Sequence, residues 1–287
     1  TPKPSSAASD VYKRQLELYR GLENSKIRHV TPRHEQGGGF MADGYARVSG
    51  KPGVCLFTTG PGLTNAATPI GQAFSDSQPM LVISSVAARA DLGAGRGRLH
   101  EITNQQATMA PLTAFSHTVL DPDELPDAIG RAFAVFSGSR PRPVHIEIPL
   151  DVLDMPAEFP IKARPQVGYP APAPEAIEEA ARLIRDASNP FVIIGGGANR
   201  VGPAMLKLVE LIGGPVSPTK AGKGTIPDTH PLSLGANLIV KSTRDILAKA
   251  DVVVVIGSEL GETDHYGGYL PIEGKLIRVD VDVQHFN

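Results

Sequence analysis

The sequence predicts an α/β protein built from two doubly wound parallel-sheet domains, and three observations lead there. Short apolar runs alternate with stretches whose apolar residues recur at helical spacing, the pattern of the β–α units that build parallel sheets. Glycine-rich turns follow two of those runs, after Phe57 and after Ile194. That is the end of a strand at which open α/β sheets take their ligands. A proline-dense segment then divides the chain near its middle, and a length of 287 residues agrees with about two domains.

Composition narrows the function classes. Hydrophobic residues make up 41% and charged residues 20%, an ordinary globular balance. A net charge of -2 and a pI near 6.4 give no sign of a nucleic-acid or polyanionic partner. No apolar run approaches the roughly 18 residues of a membrane span, and no signal-peptide pattern opens the chain. The single cysteine, Cys55, sits in the apolar run Val54 to Phe57. It is expected to be a buried core thiol, and one cysteine permits no internal disulfide, which suits a reducing cytoplasm.

In chain order, residues 1–15 stand apart: Pro, Ser and Ala dominate until Tyr12-Lys13-Arg14-Gln15. This stretch is read as a foreign, tag-like segment or a disordered tail. The first domain, 16–155, opens on the helix end Leu16 to Leu22. The run Ile27 to Val30 and the Thr31-Pro32 break read as strand and turn, followed by a helix from His34. Gly37, Gly38 and Gly39 each cost roughly 1 kcal/mol in a helix interior, so something is expected to approach the backbone closely. A strand from Val54 to Thr58, the turn Gly60-Pro61-Gly62, a helix with Ala66, Ala67, Ile70, Ala73 and Phe74 on one face, and a strand from Met80 to Ile83 follow. Pro122 to Phe136 is a helix and Val144 to Ile148 a closing strand. His145 and Glu147 share a face of that strand and are read as structural groups, not metal ligands.

Six prolines lie between Met155 and Pro174. Such density stiffens and extends a chain, so 156–174 is assigned as the linker. The second domain, 175–287, carries a helix from Glu175, a strand from Phe191 to Ile194, a helix from Ala204 to Ile212, a short strand at Pro215 to Ser217, and strands at Val252 to Ile256 and Leu276 to Val281. Its Gly195-Gly196-Gly197 turn looks like a nucleotide loop. Dinucleotide sites want an acid about 20 residues on; this chain offers Ser217, Thr219 and Lys220, which argues against NAD.

The most informative stretch is His34-Glu35-Gln36-Gly37-Gly38-Gly39-Phe40-Met41-Ala42-Asp43-Gly44-Tyr45-Ala46-Arg47, followed by Thr58-Thr59-Gly60-Pro61-Gly62-Leu63-Thr64-Asn65. On its own, Glu35 is an acid capping a helix. Over about fifty consecutive positions, however, order, spacing and residue types resemble the pyrimidine-binding domain of thiamine-diphosphate enzymes of the acetolactate synthase and 2-oxo-acid decarboxylase family. The second half, with GGGANR, PVSPTKAGKG, DTHPLSLG, ADVVVVIGSELGE and IRVDVD, is similar to the Rossmann-like central domain of the same enzymes. The resemblance implies that Glu35 hydrogen-bonds N1′ of the cofactor's aminopyrimidine. That contact favours the imino form of the 4′-amino group, which takes the proton from C2 of the thiazolium. A carbanion-and-enamine route then releases CO₂ from a 2-oxo acid. It further implies that Gly60, Pro61 and Gly62 lie by the pyrimidine. Asn65, which also fits a helix-start role, joins that cofactor-binding set.

Departures from the family pattern bear on the reaction. Acetolactate synthases have Phe-Gln-Glu where this chain has Leu99-His100-Glu101, and their downstream lysine is replaced in Thr113-Ala114-Phe115-Ser116-His117. Gly-Arg-Gly-Arg-Leu-His-Glu resembles the 5-guanidino-2-oxopentanoate decarboxylase branch. His100 is thus expected to act as acid or base near the reacting atoms. Arg96 and Arg98, in a Gly- and Arg-rich loop, are candidates to meet a substrate carboxylate; the plain alternative is a solvated loop. The alternative reactions are carboligation of pyruvate and, in another class, a cofactor-less binding or regulatory homologue. The resemblance admits FAD at Gly195–Gly197 in a non-redox role, and equally an empty domain. It implies Mg²⁺ bound through a third domain whose Gly-Asp-Gly and Asn-Asn motifs do not occur in 1–287. The expectations are an incomplete chain, inactive alone, and an active site completed by a second subunit of a homodimer or homotetramer.

Overall fold

A computed structural model of the protein describes residues 20–22, 25–159, 165, 167–266 and 268–285. The segment 1–15 and its reading as a tail lie outside the described residues. The chain divides into two compact units, with the division between Tyr169 and Pro170, inside the proline-dense stretch.

In the first unit, helix α1 (Glu35–Ser49) leads into strand β1 (Gly53–Phe57), short helix α2 (Pro61–Asn65), helix α3 (Ala67–Ser75) and strand β2 (Met80–Val86). Helix α4 (Gln105–Met109), strand β3 (Ser116–Thr118), helix α5 (Leu125–Gly138), strand β4 (Val144–Pro149) and the single turn α6 (Leu150–Leu153) complete it. The described strands form one parallel sheet in the order β1-β2-β4-β3. Helices cover such a sheet on both faces, and β4 is buried at every position, His145 and Glu147 included.

The His34 side chain starts α1 by accepting the Gln36 N–H, and Gly50 ends it in the left-handed conformation at φ 69°. Its buried face is made of small residues, Gly39, Ala42 and Ala46, with Asp43. The close approach expected at the glycines is found: a Cβ at Gly39 would overlap the Pro69 ring of α3. Small residues on this face let α1 lie tight on α3 and β1. Its large apolar side chains, Phe40, Met41, Tyr45 and Val48, point outward.

The strand expected at Ile27 to Val30 is not formed. These residues carry no regular structure, and Ile27 and Val30 are 67% and 63% exposed. A strand needs a ladder partner for its N–H and C=O groups. Among the described strands none is paired with this run, so its apolar character alone does not make it one.

The second unit runs α7 (Pro174–Asp186), β5 (Pro190–Ile194), α8 (Gly202–Ile212), β6 (Val216–Pro218), α9 (Lys241–Leu247), β7 (Val252–Ile256), α10 (Glu262–His265) and β8 (Lys275–Val279). Its sheet is again parallel, in the order β6-β5-β7-β8. Apolar clusters line both faces, one around Val192, Ile194 and Val254, the other around Phe191, Ile193 and Val255. Both units are therefore parallel-sheet α/β folds, as the sequence predicts. No helix among the described residues is long and apolar enough to cross a membrane.

Candidate active site

The site in the first unit is built at the carboxyl end of β1. The chain leaves the strand through Thr58 and Thr59 and turns at Gly60, whose backbone (φ 62°, ψ -117°) belongs to glycine. Pro61 then opens α2, where its missing N–H costs nothing. This turn lies against the start of α1. Asn65 Nδ2 donates to Glu35 Oε2 at 3.1 Å. At Gly62 a Cβ would overlap Thr58 Cγ2 and stand 3.6 Å from Glu35 Oε1. Glu35, half-buried, thus has one oxygen held by Asn65 and the other facing a stretch of backbone kept bare by Gly62.

His100 comes to the same turn. A Cβ at Gly60 would overlap the His100 carbonyl oxygen. His100 itself stands at φ 58°, one of four non-glycine residues with positive φ among those described. Strain of this kind gathers at functional sites, where the surroundings hold it in place. The structure therefore brings together Glu35, Gly60, Pro61, Gly62, Asn65 and the backbone of His100.

Arg96 and Arg98 are engaged within their own loop. Both guanidinium groups bind Asp91, Arg98 Nε at 2.9 Å and Arg96 Nη1 at 2.9 Å. Their backbone N–H groups donate to Glu101, at 2.8 Å from Arg98 and 3.3 Å from Arg96. The Arg98 and Arg96 guanidiniums hold the Asp91 carboxyl below the usual range, and backbone donors, Arg98 first, do the same for Glu101. The loop is stapled at both ends, and it delivers His100 to Gly60.

Behind the turn lies a buried polar network that sequence reasoning missed. Gln105 Oε1 accepts from Gly60 N at 2.8 Å and Thr59 Oγ1 at 3.1 Å. Its Nε2 reaches Ser84 Oγ, the Ser85 carbonyl and Glu147 Oε2, each at 3.0 Å. Thr118 Oγ1 donates to Glu147 Oε1 at 2.7 Å, and His145 sits between Ser84 and Ser116 at 2.8 and 2.7 Å. Burial pushes the Glu147 carboxyl up and the His145 imidazole down to about 3, so His145 is neutral. A cavity of about 240 Å³ opens beside the network, walled by Thr59, Glu101, Asn104, Gln105, Thr118 and Glu147. The available signal was two polar residues inside a strand buried on both faces, because buried polar groups need partners.

Cys55 is buried, with its thiol pushed up to about 12, as befits a core residue. In the second unit, the N–H groups of Gly195, Gly197 and Ala198 are committed to backbone carbonyls of the same unit. Gly195 N goes to the Ile256 carbonyl at 2.8 Å, Gly197 N to Gly257 at 3.0 Å, and Ala198 N to Gly195 at 3.2 Å. Among the described residues no group of three or more His, Cys, Asp or Glu side chains could hold a metal ion.

Residues 11–108 match the model of the thiamine pyrophosphate enzyme N-terminal TPP binding domain, and residues 177–287 match the central domain of the same enzymes. The chain is 52% identical over 274 residues to "Probable 2-ketoarginine decarboxylase AruI" of Pseudomonas aeruginosa, covering 95% of this chain and 49% of that one. It is 36% identical over 279 residues to "Acetolactate synthase isozyme 1 large subunit" of Escherichia coli K12, covering 93% and 48%. In fold it is similar to the X-ray structure of "a putative thiamin diphosphate-dependent enzyme isolated from Mycobacterium smegmatis", with a TM-score of 0.82 and 24% identity, over 99% of this chain and 54% of that one. The chain spans about half the length of the curated relatives it matches. With both domain models matched in order and the two folds in place, the chain belongs to the thiamine pyrophosphate enzymes and carries their N-terminal and central domains.

Proposed function

We propose that this protein serves a thiamine-diphosphate-dependent decarboxylation of a 2-oxo acid, with 5-guanidino-2-oxopentanoate as substrate. The observation that carries the reading is the 52% identity over 274 residues to a protein named for 2-ketoarginine, the same guanidino-oxo acid. The donor set fits the cofactor: a carboxyl group beside bare glycine backbone can receive a flat, nitrogen-bearing ring. Thiamine diphosphate supplies the electron sink for loss of CO₂.

The protein's share is positioning and proton handling. Glu35 shares a proton with a ring nitrogen, and Asn65, bonded to its other oxygen, keeps the carboxyl turned towards the ring. Gly60, Pro61 and Gly62 set the distance of approach. His100 is assigned to hold or deliver a proton beside the reacting carbon. Mg²⁺ would hold the cofactor's diphosphate through residues other than those described. The outward apolar side chains of α1, which begins at Glu35 itself, support a second subunit that completes the site. The lone, buried Cys55 suits a cytoplasmic setting.

Carboligation of pyruvate is the second reading, favoured by the 36% identity to an acetolactate synthase subunit. The two are separated by comparing 5-guanidino-2-oxopentanoate with pyruvate as substrates of the product of the complete reading frame, with thiamine diphosphate and Mg²⁺, and by measuring acetolactate as well as CO₂, since both reactions release CO₂. Preference for the guanidino acid supports decarboxylation. Preference for pyruvate with acetolactate formed moves the assignment to the synthases.

A further inference from the structure

We infer that Gln105 is the positioning residue of the Gly60–Pro61–Gly62 turn. Its bearing on catalysis rests on the cofactor reading above; its hold on the turn does not. Gln105 is 2% exposed and opens α4 behind the Asn104 cap. A carboxamide offers two N–H donors and a carbonyl with two lone pairs, and here all are used. Both lone pairs go to the end of β1, at Thr59 and Gly60, while the N–H groups point to Ser84, Ser85 and Glu147 on β2 and β4. The orientation of the amide is fixed by chemistry, because Gly60 N can only donate and the Ser85 carbonyl can only accept.

The Gly60 N–H depends on this one contact. Gly60 is buried, so its N–H needs a partner, and the partner is a side chain 45 residues further along the chain. The same segment presses on the turn a second time through the His100 carbonyl. Residues 100–105 thus grip Gly60 at two points, one by packing and one by hydrogen bonding. The bonds of Gln105 run from the turn to the sheet, which ties the position of the turn to the rigid strands β2 and β4.

The test is amide hydrogen exchange on the 287-residue chain, resolved by residue and corrected for intrinsic rates. Gln105→Met keeps the length of the side chain and removes every hydrogen bond. The expected result is about a tenfold or greater loss of protection at Gly60, the cost of stranding a buried donor. Amides of the β1–β2 ladder should stay within about twofold of wild type. Gln105→Glu retains an acceptor for Gly60 but sets a second carboxyl group against Glu147, so it should keep more of the protection there at acidic pH, where the pair shares a proton, than at neutral pH. Unchanged exchange at Gly60 in Gln105→Met, or an equal loss at Gly60 and across the ladder, overturns the inference; the second outcome would make Gln105 a core residue and nothing more. A titration with thiamine diphosphate and Mg²⁺, on the product of the complete reading frame, separates the two readings. If wild type binds no cofactor, the functional reading falls while the exchange result stands. If wild type binds and Gln105→Met binds as tightly, despite a loosened turn, the role in catalysis falls.

Discussion

Glu35 and Asn65 set the first prediction at the scale of single residues. Their 3.1 Å bond engages one carboxylate oxygen, and in the proposed reading the proton shared with the cofactor sits on the other. Glu35→Gln keeps the shape and the bond geometry but cannot share a proton. CO₂ release should fall by about 10²–10⁴-fold, the usual share of a positioned acid or base, with thiamine diphosphate still bound. Retention of full turnover would remove Glu35 from the chemistry. His100 gives a prediction of opposite signs. A left-handed non-glycine residue costs about 1–2 kcal/mol, so His100→Gly should raise the urea midpoint while lowering CO₂ release. His145 gives a pH dependence. Its imidazole titrates near 3 when folded, against an ordinary 6.5, so the unfolded chain binds the extra proton first. Its contribution is fully present above about pH 6.5 and is lost progressively as pH falls towards about 3. Glu147, pushed up by burial, works in the other direction, losing stability as pH rises through its folded value. Unfolding of His145→Gln, followed by denaturant across that window, should show a shallower decline on the acid side than wild type.

At the scale of elements, the packing of α1 is the sharpest test. Gly39→Ala places a Cβ into the Pro69 ring of α3, and overpacking of this kind costs about 1–3 kcal/mol. A lower denaturant midpoint with unchanged slope is the expected outcome. Three glycines in a helix were legible as a sign of close approach, though not that the approaching group would be a proline. The strands at Met80, Val144, Phe191 and Val252 were equally legible, because β-branched and apolar runs bounded by turn residues leave few alternatives. Ile27 to Val30 was misread because a strand is defined by its neighbour, and pairing is not written in four residues. Glu35, the Gly60 turn and His100 could be picked out by pattern, and the structure places them side by side. Gln105 could not. It looks like any polar residue opening a short helix, and its meaning comes from a turn 45 positions away and a strand 42 positions away. Arg96 and Arg98 read from the sequence either as candidates to meet a substrate carboxylate or as part of a solvated loop; the structure adds that their guanidinium groups bind Asp91, five and seven residues back. Local ion pairs of this sort escape notice when charges are tallied by loop.

At the scale of the molecule, the first unit turns a small-residue face of α1 inward and a large apolar face outward. Phe40, Met41, Tyr45 and Val48 are all exposed, Val48 at 91%, and Val54 of the neighbouring β1 is exposed as well. Several exposed apolar side chains on one helix mark a place where another surface can sit, and burying apolar area yields roughly 25 cal/mol per Å². Because Glu35 opens this same helix, a copy of the chain seated there would stand next to the cofactor turn, as the proposed two-subunit site requires. Met41→Glu puts a charge in the middle of that face without touching the buried side of α1. An unpaired charge removed from water costs several kcal/mol, so sedimentation should show a shift from dimer or larger species towards monomer, with the far-ultraviolet spectrum unchanged. Cofactor affinity should fall in step with the loss of assembly. If Met41→Glu leaves the sedimentation of wild type unaltered, the outward face of α1 is not the subunit contact, and the partner contribution to the site must enter from another side.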